Sequence, residues 1–188
     1  MTRAIIFDCF GVLTGDKWKA FVLSLPEIQR EPARGLNRAL DSAQLNYNDF
    51  LWRVHMLTGH SPQTVSSLIN SEMYKDQKIL DFIASLKPRY KIGLLSNVST
   101  DWVKTDFLSV AEAALFDDII LSYRVGVVKP NPKIYHICAE ELGVEVSECV
   151  LIDDGAHNCE GAIKAGMQAI LYSNLEQAKE ELDRILTK

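Results

Sequence analysis

Five short apolar runs, at residues 4–7, 92–95, 119–121, 150–152 and 169–171, carry almost no polar alternation. A strand with one wet face alternates apolar and polar residues. A strand buried on both faces does not, and such strands belong to parallel sheets covered by helices on either side. Helical segments lie between the runs. One starts at Pro132 and stops at Gly143, and a second covers 159–165 and stops at Gly166. Ser173-Asn174-Leu175-Glu176 has the capping-box spacing that opens a last helix toward Leu186. This alternation predicts an α/β fold with a doubly wound parallel sheet.

The stretch from residue 16 to residue 74 breaks the rhythm, since it holds no convincing strand. Ser61-Pro62 reads as a helix N-cap followed by proline at the first helical position. Phe50, Leu51, Val54 and Leu57 recur at helical spacing, with Gly59 behind them. An all-helical insert is expected here, giving a core of residues 1–14 and 76–188 and an insert of residues 15–75. With 188 residues, 47% of them hydrophobic, the chain is long enough for one such core with a small lobe.

A formal net charge of −5, with Lys and Arg scattered rather than clustered, argues against a nucleic-acid partner. No apolar stretch is long enough to span a membrane. The four cysteines, Cys9, Cys138, Cys149 and Cys159, form no C-x-x-C pair and read as buried thiols. No signal segment is expected, so the cytoplasm is the default compartment. Without a coiled-coil pattern, monomer and homodimer both stay open.

Charged and polar residues stand where the runs end. Asp8 follows the first run and precedes Phe10-Gly11, a placing that suits a nucleophile or a metal ligand. Ser96-Asn97 follows the second run, and a hydroxyl there can donate to a phosphoryl oxygen. Lys129-Pro130 precedes a helix, and its ammonium can neutralise both a carboxylate and a phosphate. Asp153-Asp154 ends the fourth run. Two adjacent carboxylates near a third are costly without a cation, and hard oxygen ligands suit Mg²⁺. Each residue alone has an ordinary explanation: a turn-capping Asp, a helix-cap Ser, a surface Lys, an acidic turn. Asn97 and Asn158 are weaker signals that equally suit loop bracing. The order Asp, Ser, Lys, Asp-Asp is the informative feature.

With these motifs the chain resembles the haloacid dehalogenase-like (HAD) hydrolase superfamily. The resemblance rests on Asp8 with Gly11-Val12-Leu13, Ser96-Asn97, Lys129-Pro130-Asn131-Pro132 with Ile134-Tyr135, and Asp153-Asp154 with Asn158, Gly161-Ala162 and Gly166-Met167. It implies a Rossmann-like core in which the insert is a small helical cap that selects the substrate. It further implies a Mg²⁺-dependent phosphatase acting on a small phosphorylated metabolite. Asp8 would form an aspartyl-phosphate, while Ser96, Asn97 and Lys129 would bind the substrate. Asp8, the Phe10 carbonyl, Asp153 and Asp154 would hold the metal.

One position departs from the pattern. The family's phosphatases usually carry Asp two residues after the nucleophile, where it protonates the leaving group, and Phe10 cannot do so. Good leaving groups are then favoured, as in sugar 1-phosphates, acyl phosphates and aryl phosphates. Asp16, from a rearranged loop, is a further source of the acid. Two other readings stand beside this one. A metal-independent 2-haloacid dehalogenase also carries an aromatic here, though the Asp153-Asp154 pair weighs against it. A catalytically weak phosphate-binding or interaction module is the non-enzymatic reading. In the insert, Trp18, Trp52, Arg53 and His55 are the polar or aromatic residues available to meet a substrate.

Overall fold

The computed structural model describes residues 1–71 and 73–187, leaving residue 72 of the insert and the last residue outside. In chain order, the first strand β1 (Ala4–Phe7) is followed by five helices: α1 (Lys17–Ser24), α2 (Glu27–Asp41), α3 (Tyr47–Thr58), α4 (Pro62–Ile69) and α5 (Gln77–Leu86). Then come β2 (Lys91–Ser96), α6 (Val110–Ala113), β3 (Asp118–Leu121), α7 (Ser122–Val125) and α8 (Pro132–Glu141). The chain ends with β4 (Cys149–Asp153), α9 (Ala156–Ala165), β5 (Gln168–Leu171) and α10 (Leu175–Leu186).

The five strands form one parallel sheet in the order β3-β2-β1-β4-β5. Side chains of a strand alternate between faces, and here both faces are covered. Ile5, Phe7, Ile92, Leu94, Val150 and Ile152 pack toward α5 and α10, meeting Ile79, Leu80, Ile83 and Leu182. Ala4, Ile6, Leu95 and Leu151 point the other way, against Ile134, Tyr135, Cys138 and Ala162 of α8 and α9. This double burial explains the unalternated runs. The fifth run is different. Strand β5 pairs only with β4, and Leu171 is half exposed, because an edge strand has one unpaired flank.

Helices α1 to α4 enclose an apolar cluster of their own, built on Phe21, Val22, Leu40, Phe50, Val54 and Val65. Ser61 caps α4 by accepting the Thr64 amide, with Pro62 just inside. Gly59 ends α3 in the left-handed conformation, at φ 77°. The last helix corrects the sequence reading. Its N-cap is Asn174, which accepts the Gln177 amide, and Ser173 instead donates to the Gln177 side chain. The Tyr172 amide still bonds to the Asp153 carbonyl, at 2.9 Å, so the chain stays extended past β5 and turns one residue later.

Neighbouring strands β1 and β4 lead into connections on opposite sides of the sheet. The crevice outside their carboxyl ends is therefore a topological switch point, where α/β sheets place ligands.

Candidate active site

Asp8 is the first residue beyond β1, and its amide donates to the Ile152 carbonyl of β4 at 2.9 Å. This bond locks the two strand ends side by side, so Asp8 and Asp153 reach one place. Lys129 lies between them. Its ammonium is 2.8 Å from Asp8 Oδ1 and 2.6 Å from Asp153 Oδ2, and it donates to the Leu95 carbonyl at 2.9 Å. Those three acceptors use its three protons. Lys129 is only 2% exposed, which removes the surface-lysine explanation. Burial alone would lower its pKa. The charges of Asp153 and Asp8 override that and hold it above its usual value, so it stays a cation.

Asp8 is pushed well above the ordinary carboxylate range, first by burial and then by the charge of Asp153; Lys129 opposes both. Its Oδ1 accepts the Cys9 amide at 2.7 Å as well as the lysine. No hydrogen bond among the described residues uses Oδ2. Both oxygens of the Asp153 carboxylate accept hydrogen bonds. Gly155 N and Asn158 Nδ2 donate to Oδ1 at 2.8 and 2.9 Å, and Asn158 and Lys129 donate to Oδ2. Asn158 thus orients Asp153. Asn97 braces Lys129: its amide group donates to the Lys129 carbonyl at 3.0 Å and accepts the Lys129 N–H at 2.8 Å. Ser96, at the end of β2, is wholly buried, and its hydroxyl finds no partner among the described residues. A buried polar group left unpaired costs about 1–3 kcal/mol, so this hydroxyl is an exception that calls for a reason.

Asp154 completes an acidic trio. Asp8, Asp153 and Asp154 each offer an oxygen, and these atoms lie within 4.8 Å of one another. Asp154 also pairs with Lys19 of α1 at 2.5 Å, a cation that sequence reasoning missed because nothing local links residue 19 to residue 154. Gly11, at φ 83°, permits this approach, since a Cβ at that position would overlap the Asp154 carboxyl group. Phe10 stacks on Trp102, with ring centroids 5.8 Å apart and planes 12° apart. Trp102 was also missed. It sits at the N-terminus of a short helical segment, Val103–Phe107, after β2.

A cavity of ≈ 970 Å³ opens over these groups. Asp8, Phe10, Asn97, Lys129 and Asp154 line it from the core, and Trp18, Asn37 and Asp41 line it from the helical insert. Ser96 and Asp153 lie beneath its floor, both without solvent exposure. Of the aromatic and polar residues expected in the insert, Trp18 reaches the cavity; Trp52, Arg53 and His55 lie elsewhere on α3. Asp16 lines the cavity too. Burial, aided by the charge of Asp154, raises its pKa against the pull of its hydrogen bond from Lys19 N.

The family model of the haloacid dehalogenase-like hydrolases matches residues 2–166, a span that includes every one of these groups. The chain belongs to that family. It is 27% identical to phosphatase MT3486 of Mycobacterium tuberculosis (strain CDC 1551 / Oshkosh), over 98% of this chain and 93% of the relative. It is 26% identical to D-ribitol-5-phosphate phosphatase of Bacteroides thetaiotaomicron, over 99% of each. A HAD-family enzyme from Bacteroides thetaiotaomicron, solved with magnesium and inorganic phosphate, shares the fold with a TM-score of 0.68. Its identity is 21%, covering 92% of this chain and 95% of that one. The HAD hydrolase is thus an enzyme with an α/β, Rossmann-like core. Among its described residues, no helix is long and apolar enough to cross a membrane.

Proposed function

We propose that this HAD hydrolase is a Mg²⁺-dependent phosphatase acting through an aspartyl-phosphate on a small phosphorylated metabolite with a good leaving group, such as a sugar 1-phosphate. The observation that carries the reading is the meeting of Asp8, Asp153 and Asp154 around one point, beside the Lys129 ammonium. Two relatives matched over nearly the whole chain are named as phosphatases, and a structural neighbour holds magnesium and phosphate. In this reading residues 15–75 form a cap over the site, and the core is residues 1–14 and 76–188. Four free, buried thiols suit the reducing cytoplasm.

Asp8 Oδ2 attacks phosphorus, the P–O bond to the leaving group breaks, and water later attacks the same phosphorus to release Asp8 and phosphate. Lys129 favours the ionised form of Asp8 against burial and the charge of Asp153, and offers its own charge to the phosphoryl oxygens. Ser96 donates its unpartnered hydroxyl, and Asn97 fixes the Lys129 main chain. Asp8, Asp153, Asp154 and the Phe10 carbonyl would hold Mg²⁺. The donor set fits that ion, being all hard oxygen in a cradle kept open at Gly11. When bound, Mg²⁺ neutralises charge on the phosphoryl group and orients it. The acidic trio disfavours the dehalogenase reading, because an anionic haloacid at Asp8 would meet three clustered carboxylates, with Lys129 already shared between Asp8 and Asp153 and Lys19 paired with Asp154.

Two expected results test this. With no acid at position 10, an aryl phosphate should outpace a simple alkyl phosphate by roughly 10²- to 10⁴-fold in kcat/KM, at saturating Mg²⁺. Equal rates would remove the leaving-group argument, and no phosphate release from either ester would remove the phosphatase. Gly11→Ala should force Asp154 away and raise the Mg²⁺ concentration for half-maximal rate roughly 10- to 100-fold. An unchanged Mg²⁺ titration would show that Asp154 takes no part in holding the metal.

A further inference from the structure

The cavity is larger than a phosphoryl group needs, and its two sides differ in chemistry. On the insert side, Asp41 sits at the end of α2, only 6% exposed, yet it lines the cavity. It forms no ion pair among the described residues, and its one side-chain partner is the Asn37 amide, at 2.6 Å. The Ser122 hydroxyl donates to its carbonyl at 2.7 Å, which anchors this end of α2 to the core. On the core side, Phe10 and Trp102 stack on one another, and Trp102 stacks again on Phe107 with centroids 4.9 Å apart. This is an aromatic wall standing where the family usually has an acid.

We infer that this cavity is a subsite for the polyhydroxylated part of a sugar or polyol phosphate, with Asp41 and Asn37 reading its hydroxyl groups and the Phe10–Trp102 stack packing on its C–H face. The inference rests on the phosphatase reading and narrows its substrate. A sugar ring has a polar rim and an apolar face, and the two walls match them. Burial, and secondarily the charge of Asp16, push the Asp41 carboxyl up to about 7. Below about pH 7 it therefore carries a proton in most molecules and both donates and accepts, as hydroxyl recognition requires. It also places less negative charge near an incoming phosphate. Its folded pKa lies above the unfolded value, so it costs stability as pH rises from about 4 to about 7. A buried carboxyl retained at such a cost and opening on a cavity points to binding.

A cationic leaving group fits poorly, because Arg34, Arg38 and Lys19 line the same cavity. Arg34 and Arg38 share Glu31, and Lys19 pairs with Asp154, so most of this positive charge is already matched within the protein.

The test compares a hexose 1-phosphate with phenyl phosphate, which carries no hydroxyl groups, on wild type, Asp41→Ala and Asp41→Asn. Asp41→Ala should lower kcat/KM about 10- to 100-fold more for the hexose phosphate than for phenyl phosphate, mostly through KM. Asp41→Asn, which keeps a donor and an acceptor, should recover most of that ratio. Far-UV circular dichroism confirms that the variants fold, and Asn37→Ala should shift the ratio the same way. An unchanged ratio in Asp41→Ala and Asn37→Ala, or a wild-type preference for nucleoside monophosphates over sugar phosphates, overturns the inference alone. Failure of the wild type on both esters overturns the phosphatase reading and this inference together.

Discussion

Replacing Lys129 by methionine should unfold the protein about 3–5 kcal/mol more easily at neutral pH and abolish turnover. The side chain is buried between Asp8 and Asp153 at 2.8 and 2.6 Å, and methionine fills similar space without the charge. Two desolvated carboxylates would then face each other unpaired. The folded pKa of Asp8, already above its unfolded value, would rise further, so the stability deficit would be greatest at alkaline pH. It would shrink as pH falls and one carboxyl takes a proton. Urea unfolding at pH 8 and pH 5 measures this. Saturating Mg²⁺ should restore part of the stability and little of the rate. Arginine is a poor substitute, since its planar fork does not fit a site shaped for a three-proton ammonium. A variant within about 0.5 kcal/mol of wild type at pH 8 would mean that the lysine is not what holds the two acids together.

The parallel sheet was legible because strands buried on both faces leave nothing polar in the sequence to interrupt them. The site was legible for a related reason. Residues at the ends of adjacent strands have few places to go, so Asp8, Ser96 and Asp153 converge once the strands are ordered. Lys129 was found by the order of motifs rather than by its neighbours. Only the structure shows it buried, with Asn97 and Asn158 serving as braces for it and for Asp153.

Groups that meet across the insert were not legible. Lys19 pairs with a residue 135 positions away, and Asp41 looks like any helix-ending carboxylate until α2 is laid over the cavity. Trp102 gains its meaning from Phe10, which reads in sequence only as the loss of an acid. The helix cap at Ser173-Asn174 failed for a local reason. Both residues are good caps, and the choice between them was made by a backbone bond from Tyr172 to a neighbouring strand.

Asp8→Asn should lower phosphate release at least about 10⁴-fold while leaving the fold as stable as wild type or more so. Asparagine keeps an oxygen for the Cys9 amide and for Lys129, so the local hydrogen bonds survive. What it loses is the negative charge, and that charge is what burial and Asp153 oppose in the folded state. With a folded pKa raised above the unfolded value, ionised Asp8 subtracts from stability as pH climbs through that interval. Removing the ionisation removes the penalty. Opposite movements of rate and stability are the signature of a group kept for chemistry at the expense of the fold. Unfolding in the presence of a chelator, beside a phosphate-release assay with Mg²⁺, reads both. If the variant kept its rate, the nucleophile would have to be another group. If it lost rate and stability together, Asp8 would be one more structural member of the Lys129 cluster, and the covalent intermediate would have no support.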